Sequence, residues 1–359
     1  MTIPGDRPRT LRDVGEFALL ESVVFPMARR YGVDADLGDD CGFVEIGGAL
    51  IAVSADAGPR PLVQQLSGHE TDYEAAGWHA VVATASDIAT AGAKPLFLVD
   101  TIDAPPDLPV PFLQAFMDGY FRACAEFGFQ TVGGDIRQGS VLTARVFGVG
   151  LVEHGARIGR RSAAPGDHVV LIGGAGAFIS AFLFAERQGH HRLSSNIMEI
   201  LRFPRPQLRE MQVLAKHCLV SAASDSSDGV LGALENIGKQ SQCGFHLNLD
   251  AKLLDERITN EASIRGFDPW NIFFCWGDWS VVAVVPQGRL LDFSKVASDH
   301  SIVWIPLGQV VHGPFSLHAT VDGIQQRVRV LRNENFVKTG FHAGLGSHIN
   351  HMLATKLFT

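Results

Sequence analysis

The chain has 359 residues, 46% of them hydrophobic and 19% charged, and a formal net charge of −8. That apolar share is ample for buried sheets and speaks against a disordered scaffold, while the length exceeds what one core usually holds and predicts two domains. No basic run or interleaved basic and aromatic stripe appears, no apolar stretch approaches the ~18 residues of a membrane helix, and Met1–Phe17 lacks the apolar centre of a secretory signal, which together argue against a nucleic-acid surface, a membrane span and secretion.

In chain order, an amphipathic helix is predicted over roughly Leu11 to Arg30, ending near Tyr31-Gly32. Two apolar runs, Gly42–Ile46 and Ala49–Val53, flank Gly47-Gly48 and read as a hairpin. Trp78–Gly92 repeats apolar or small residues at helical spacing, with Asp87 projecting away from the centre of that stripe. A second helix is predicted from Pro111 to Phe127, then a strand ending in Gly133-Gly134-Asp135, then a long strand over Val141–Val152. The turn-like Arg160–Asp167 suggests a boundary, and the chain divides as 1–155 and 156–359. Beyond it, a strand over His168–Ile172 meets the loop Gly173-Gly174-Ala175-Gly176-Ala177 and a helix from Phe178, a general phosphate-binding order of elements. A helix from Val230 follows the acidic turn Asp225–Gly229, and strands are predicted at Val281–Val285 and Ile302–Ile305, the latter stopped by Pro306. Five scattered cysteines fit neither a disulfide framework nor a zinc ribbon and predict a reducing, cytoplasmic setting.

Five segments place carboxylates beside small residues: Gly38-Asp39-Asp40, Ser54-Ala55-Asp56, Ser86-Asp87, Gly133-Gly134-Asp135 and Asp225-Ser226-Ser227-Asp228-Gly229. Magnesium takes carboxylate and water oxygens and bridges them to nucleotide phosphates. Glycine lets a backbone approach phosphate closely, and Arg137 and Arg160 can add forked contacts. Each segment alone is also ordinary turn chemistry, Asp225 and Asp228 could cap the next helix, and Asp87 could be a solvated acid. Spacing does not bring the segments together in space. The chain has no Walker lysine loop, kinase catalytic loop or serine-hydrolase elbow. His342, His348 and His351 have no metal spacing and read as surface residues; Cys275 reads as a packed thiol, with a reactive one as the alternative.

In order, GDD at 38–40, VSAD at 53–56, WHAVVATASDIATAGAKP at 78–95, GGD at 133–135, the turn at 160–167 and DSSDG at 225–229 resemble thiamine-monophosphate kinase and its aminoimidazole ribonucleotide synthetase relatives. The resemblance, from about residue 12 to 310, implies a two-domain PurM-like fold, α/β and α+β: an N-terminal domain whose strands pair in a barrel-like homodimer interface, and an α+β C-terminal domain. It implies ATP and Mg2+ as cofactors and a small-molecule substrate. Asp39, Asp40, Asp56, Asp87, Asp135, Asp225 and Asp228 are implied as metal ligands. Gly38, Ser54, Gly133, Gly134, Arg137, Arg160 and Ser227 are implied around the nucleotide, with Asp228 and Arg160 nearest the chemistry. The substrate side departs from the family. Asp56-Ala57-Gly58-Pro59-Arg60-Pro61-Leu62 replaces an acid, glycine and histidine-phenylalanine pair. Cys275-Trp276-Gly277-Asp278-Trp279-Ser280 replaces a glycine-glycine-glutamate-aspartate-tyrosine-glutamate motif and keeps only Asp278. These departures predict a phosphotransferase or ATP-activating ligase whose acceptor is not thiamine phosphate. A true thiamine-monophosphate kinase and a non-catalytic, nucleotide-binding regulatory dimer are the alternatives.

Overall fold

A computed structural model describes residues 9–33, 36–59, 72–153, 157–189, 194–340 and 344–359. The opening helical stretch is interrupted: α1 (Leu11–Val14), α2 (Glu16–Leu19), a π-type turn at Leu20–Val24, and α3 (Phe25–Arg30). Gly15 breaks it with φ of +81°. Pro26, which has no N–H to give the preceding turn, sits just after the π register.

The first sheet contains β1 (Gly42–Ile46), β2 (Ala49–Ala57), β3 (Lys94–Ala104), β4 (Gln130–Gln138) and β5 (Thr143–Val152), in the order β1-β2-β5-β3-β4. Only β3 and β4 are parallel, because a helix crosses over between them. α4 (Tyr73–Thr90) and α5 (Val110–Phe127) lie together on this sheet. α4 is buried on nearly every side, which is why its sequence shows small and apolar residues all round rather than one clean stripe. The two helices approach through glycine. A Cβ on Gly77 would lie 1.9 Å from the Phe116 carbonyl oxygen, and one on Gly119 would lie 1.9 Å from that of Glu74. The first sheet is open, with β1 and β4 as its edges, so no barrel closes among the described residues of the single chain.

The second sheet contains β6 (His168–Ile172), β7 (Ala222–Asp225), β8 (Gly244–Leu249), β9 (Val281–Val285), β10 (Trp304–Val311), β11 (Leu317–Val321) and β12 (Ile324–Arg327), in the order β12-β11-β8-β10-β6-β9-β7. Alternation sends Val169 and Leu171 of β6 into one core and Val170 and Ile172 into another. The first core packs α6 (Ala177–Gln188), α9 (Val230–Ser241), α10 (Glu256–Arg265) and α11 (Pro269–Phe273); the second packs α8 (Leu208–Lys216) and α12 (Leu290–Asp299). α7 (Ser195–Arg202) and α13 (Leu345–Ala354) complete the set. Pro306 does not stop β10 as expected. It pairs with Val170, and a register shift before Gly308 absorbs the missing donor. α13 is built into the first core through Ile349, Met352 and Leu353.

Gly119→Ala is expected to lower stability by about 3 kcal/mol, the upper part of the overpacking range, because the added methyl meets backbone rather than a mobile side chain. Denaturant unfolding checks this, and a change below about 0.5 kcal/mol contradicts the packing described.

Candidate functional site

Ala52, Ser54 and Asp56 share one face of β2 by simple alternation, the face that meets α4. Asp87, in the last turns of α4, points back at that face and accepts a short hydrogen bond from Ser54 Oγ. Asp40 arrives from the turn before β1, and Asp225 from the end of β7 in the other sheet. Carboxylate oxygens of Asp40, Asp87 and Asp225 all lie within 4.8 Å of one another. Asp40 Oδ2 and Asp225 Oδ2 are buried and have no hydrogen-bond partner among the described residues. Buried polar atoms are nearly always satisfied, so two orphaned carboxylate oxygens facing a third acid suit a hard divalent cation. The donor set therefore fits magnesium.

One cation already serves the cluster. Arg160 forms a short ion pair with Asp40, reaches the Gly38 carbonyl, and donates from Nε to Ser224 Oγ at 3.1 Å. Asp39 is held apart from the trio: it accepts the Arg160 backbone N–H at 2.7 Å and lies 3.7 Å from Arg161. Ser227 donates to Asp225 at 2.8 Å. Burial lifts Asp40 to about 7 even though Arg160 pulls it down, with Asp225 adding to the rise. Burial likewise lifts Asp56 to about 7, and Asp87 rises well above the ordinary carboxylate range for the same reason, reinforced by Asp225, Asp40 and Asp56. Asp228 is also raised by burial, against the pull of Arg332, although about a third of its side chain (32%) remains exposed.

Asp56 and Asp228 face a neighbouring cavity of about 350 Å³ whose other walls include Phe178, Trp276, Trp279 and Glu16. Neither Asp225 nor Asp228 caps α9; its N-cap is Gly229, with no side-chain bond. Asp278 has a structural task. It accepts the Phe178 N–H at 2.8 Å at the start of α6, so the glycine loop of 173–177 presents a helix N-terminus already met by a carboxylate. Gly277 also has a steric cause: a Cβ there would stand 2.2 Å from the Phe178 ring. Cys275 is a packed thiol, pushed up to about 12 by burial.

Gly133, Gly134, Asp135 and Arg137 lie on β4, the exposed sheet edge, and are not brought to the trio. Asp56, Val146, Asp100 and Gly134 form one row across the sheet, which puts Gly134 three strand spacings, about 14 Å, from Asp56. Asp135 is one residue further on, facing the other side. Gly134 is required locally, since a Cβ would lie 2.5 Å from Asp100 Oδ1. Arg60, Pro61 and Leu62, and His342 in the tail, lie outside the described residues.

Sequence reasoning missed the contribution of both chain ends. Arg332 lies 2.9 Å from Glu235 and 3.5 Å from Asp228, and its guanidinium stands 3.2 Å from the centre of the Phe17 ring. Asn335 donates twice to Glu16, from its backbone at 2.9 Å and its amide at 2.8 Å. The polar run Arg332–Asn335, directly after Val330-Leu331, was the one local signal. His348 is not a surface residue: it is 1% exposed and accepts the Trp276 indole N–H at 3.0 Å.

Residues 38–152 match the AIR synthase related protein N-terminal domain, and residues 164–319 match the C-terminal domain of the same description. Thiamine-monophosphate kinase of Salmonella typhimurium is 31% identical over 247 residues, 66% of this chain and 72% of that protein. The Mycobacterium tuberculosis enzyme of that name is 26% identical over 331 residues, covering 88% of this chain and 90% of its own. Among solved structures, AaThiL complexed with AMPPCP and TMP aligns with a TM-score of 0.75 at 20% identity, over 92% of this chain and 100% of that one. Hydrogenase maturation protein HypE in complex with ATP aligns with a TM-score of 0.63 at 19% identity, over 88% and 95%. These likenesses in fold agree with the two mixed sheets described above.

Acids whose native pKa is raised bind more protons folded than unfolded between about pH 4 and pH 7, so that stability falls as pH rises through this window. Metal-free protein is expected to melt several degrees lower near pH 8 than near pH 5, with Asp87→Asn flattening the slope and magnesium raising the pH 8 value. Thermal scans in chelator and in magnesium test this; a melting temperature that climbs with pH in chelator contradicts it. With its motifs, its relatives and its two-sheet architecture in agreement, this chain belongs to the AIR synthase-related family.

Proposed function

We propose that this chain is a magnesium-dependent kinase that transfers the terminal phosphoryl group of ATP to a small phosphorylated acceptor, and that thiamine monophosphate is the acceptor best supported. The observation that carries this reading is the trio Asp40, Asp87 and Asp225, with two orphaned buried oxygens, beside a cavity walled by Phe178, Trp276 and Trp279 and edged by Glu16, Asp56 and Asp228. Aromatic faces and carboxylates suit a flat cationic ring, and relatives named for thiamine-monophosphate kinase activity cover most of the chain. Magnesium held there supplies neutralisation of phosphate charge between donor and acceptor.

The chain's own residues position the reactants. Asp40, Asp87 and Asp225 are the inner ligands in this reading, and Asp56 and Asp228 extend the acidic wall toward the acceptor. Ser54 and Ser227 fix the rotamers of Asp87 and Asp225 through their hydrogen bonds. Arg160, anchored by the Gly38 carbonyl, Ser224 and Asp40, is in this reading the basic group nearest the polyphosphate. An acceptor phosphate oxygen then forms the new P–O bond as the bond to the departing ADP oxygen breaks, so no side-chain nucleophile is needed. Asp39 supports the Arg160–Arg161 backbone in the same arrangement.

The homodimer belongs to this proposal. β4 is exposed along its whole length and carries Val132 and Ile136, each more than half exposed (58% and 59%). A second copy covering this edge is the arrangement that would give Gly133, Gly134, Asp135 and Arg137 a ligand-binding role. The break between residues 155 and 156 is taken as the domain division. A second reading, with the same ATP chemistry and another acceptor, is favoured by one observation: Trp276 lines the cavity, and the Phe178 ring fills the space that a side chain at Gly277 would need.

Purified protein with ATP, magnesium and thiamine monophosphate is expected to form thiamine diphosphate, and Asp225→Asn to lower kcat on the order of 100-fold at unchanged fold. ATP binding without that product moves the assignment to another acceptor, and appearance of an acceptor oxygen in released phosphate identifies activation chemistry instead. Failure to bind ATP with magnesium ends the reading altogether.

A further inference from the structure

The rewritten loop at 275–280 and the C-terminal helix meet at one contact that the family motifs do not contain. Trp276 is nearly buried (9% exposed), lines the acceptor cavity and packs against Phe178, with ring centres 6.2 Å apart. Its indole N–H donates to His348 Nε2 at 3.0 Å. The two rings are only 19° from parallel with centres 5.9 Å apart, which, with the N···N bond, describes an edge-to-edge coplanar pair rather than a stack. His348 Nδ1 lies 2.7 Å from the Thr339 carbonyl oxygen, which accepts and therefore fixes the proton on Nδ1 and leaves Nε2 as an acceptor. Burial lowers the His348 pKa and keeps the ring neutral in this role.

His348 is itself held rigidly. Asn271 of α11 donates to the carbonyls of Met352 and Thr355 at 2.7 and 2.8 Å, pinning the end of α13. The chain from core to cavity is thus Asn271, α13, His348 and the Trp276 indole, joined by the hydrogen bonds from Asn271 to the end of α13 and from Trp276 to His348. The adjacent Gly277, at φ of +108°, lets the loop pass close against Phe178, whose ring occupies the space where a side chain at 277 would begin.

We propose that the C-terminal helix sets acceptor selectivity: His348 locks Trp276 as a fixed aromatic wall of the acceptor cavity, favouring flat heteroaromatic phosphates over aliphatic ones. This rests on the kinase reading for its substrate and on geometry alone for the lock. His348 is a positioning residue, since Trp276 and not His348 faces the ligand.

The test combines kinetics with the indole N–H resonance of Trp276, assigned by comparison with Trp276→Phe. His348→Leu is expected to raise the KM for thiamine monophosphate about tenfold, the worth of one buried hydrogen bond, while ATP KM and kcat stay within about twofold. His348→Gln, whose amide can accept from the indole and donate to Thr339, is expected to recover most of the loss. An unchanged acceptor KM in His348→Leu, or a fall in kcat matched by a rise in ATP KM, overturns the proposal. Should His348→Leu not fold, Trp276→Phe must show the same acceptor-specific rise, and its absence is equally fatal. Wild-type protein that does not phosphorylate thiamine monophosphate defeats the kinase reading separately. The lock is then decided by the indole proton, which is expected to exchange slowly in wild type and faster in His348→Gln than in wild type but slower than in any folded leucine variant; equal exchange in wild type and variants overturns it.

Discussion

Three carboxylates from three distant parts of the chain are forced into one buried volume, and much of the architecture around them follows from that convergence. Asp40, Asp87 and Asp225 repel one another at short range and lose hydration on burial. Left alone, such a group is costly, and the raised pKa values of Asp40, Asp56 and Asp87 express that cost. Arg160 offsets part of it through Asp40 and the Gly38 carbonyl. The rest is uncompensated among the described residues, and the orphaned oxygens of Asp40 and Asp225 are what suit the group to a hard cation.

Holding the acids there requires a rigid frame. α4 carries Asp87 and is clamped between the first sheet, α5 and the second domain, with Gly77 and Gly119 permitting backbone contact that any side chain would block. The second sheet delivers Asp225 from its edge strand β7, which pairs with β9, a strand buried along its whole length. Trp279 and Phe203, from the second half of the chain, pack into the core of the first. The site thus sits at a seam between two sheets, and neither sheet by itself assembles the trio.

In the loop 275–280 three successive residues are each held by a different contact. Asp278 is retained because it meets the N–H groups at the start of α6. Gly277 is fixed by the Phe178 ring. Trp276 gains a hydrogen-bond partner from a helix some seventy positions later in the chain. The acidic trio and the neighbouring aromatic cavity are therefore under separate structural control: the first by strand ends and α4, the second by the loop and the C-terminal segment.

The sequence by itself determined the secondary elements with strong periodicity and the identity of the acidic turns, because alternation, helical spacing and glycine turns are local properties. The hairpin of β1 and β2, the strands β6 and β9, and α4 and α9 follow directly from such patterns. Local rules misplaced the end of β10, where a bulge accommodates Pro306, and put His348 on the surface, although its own helix α13 docks on a core built from residues far away in sequence. Which aspartates meet was decided only by tertiary structure. Asp135 carries the same local signature as Asp56, yet it lies on an exposed sheet edge, because strand order rather than motif chemistry sets lateral position. The roles of Glu16, Arg332 and Asn335 were invisible for the same reason: ends of a chain meet through packing, and no spacing rule records a contact across more than three hundred residues.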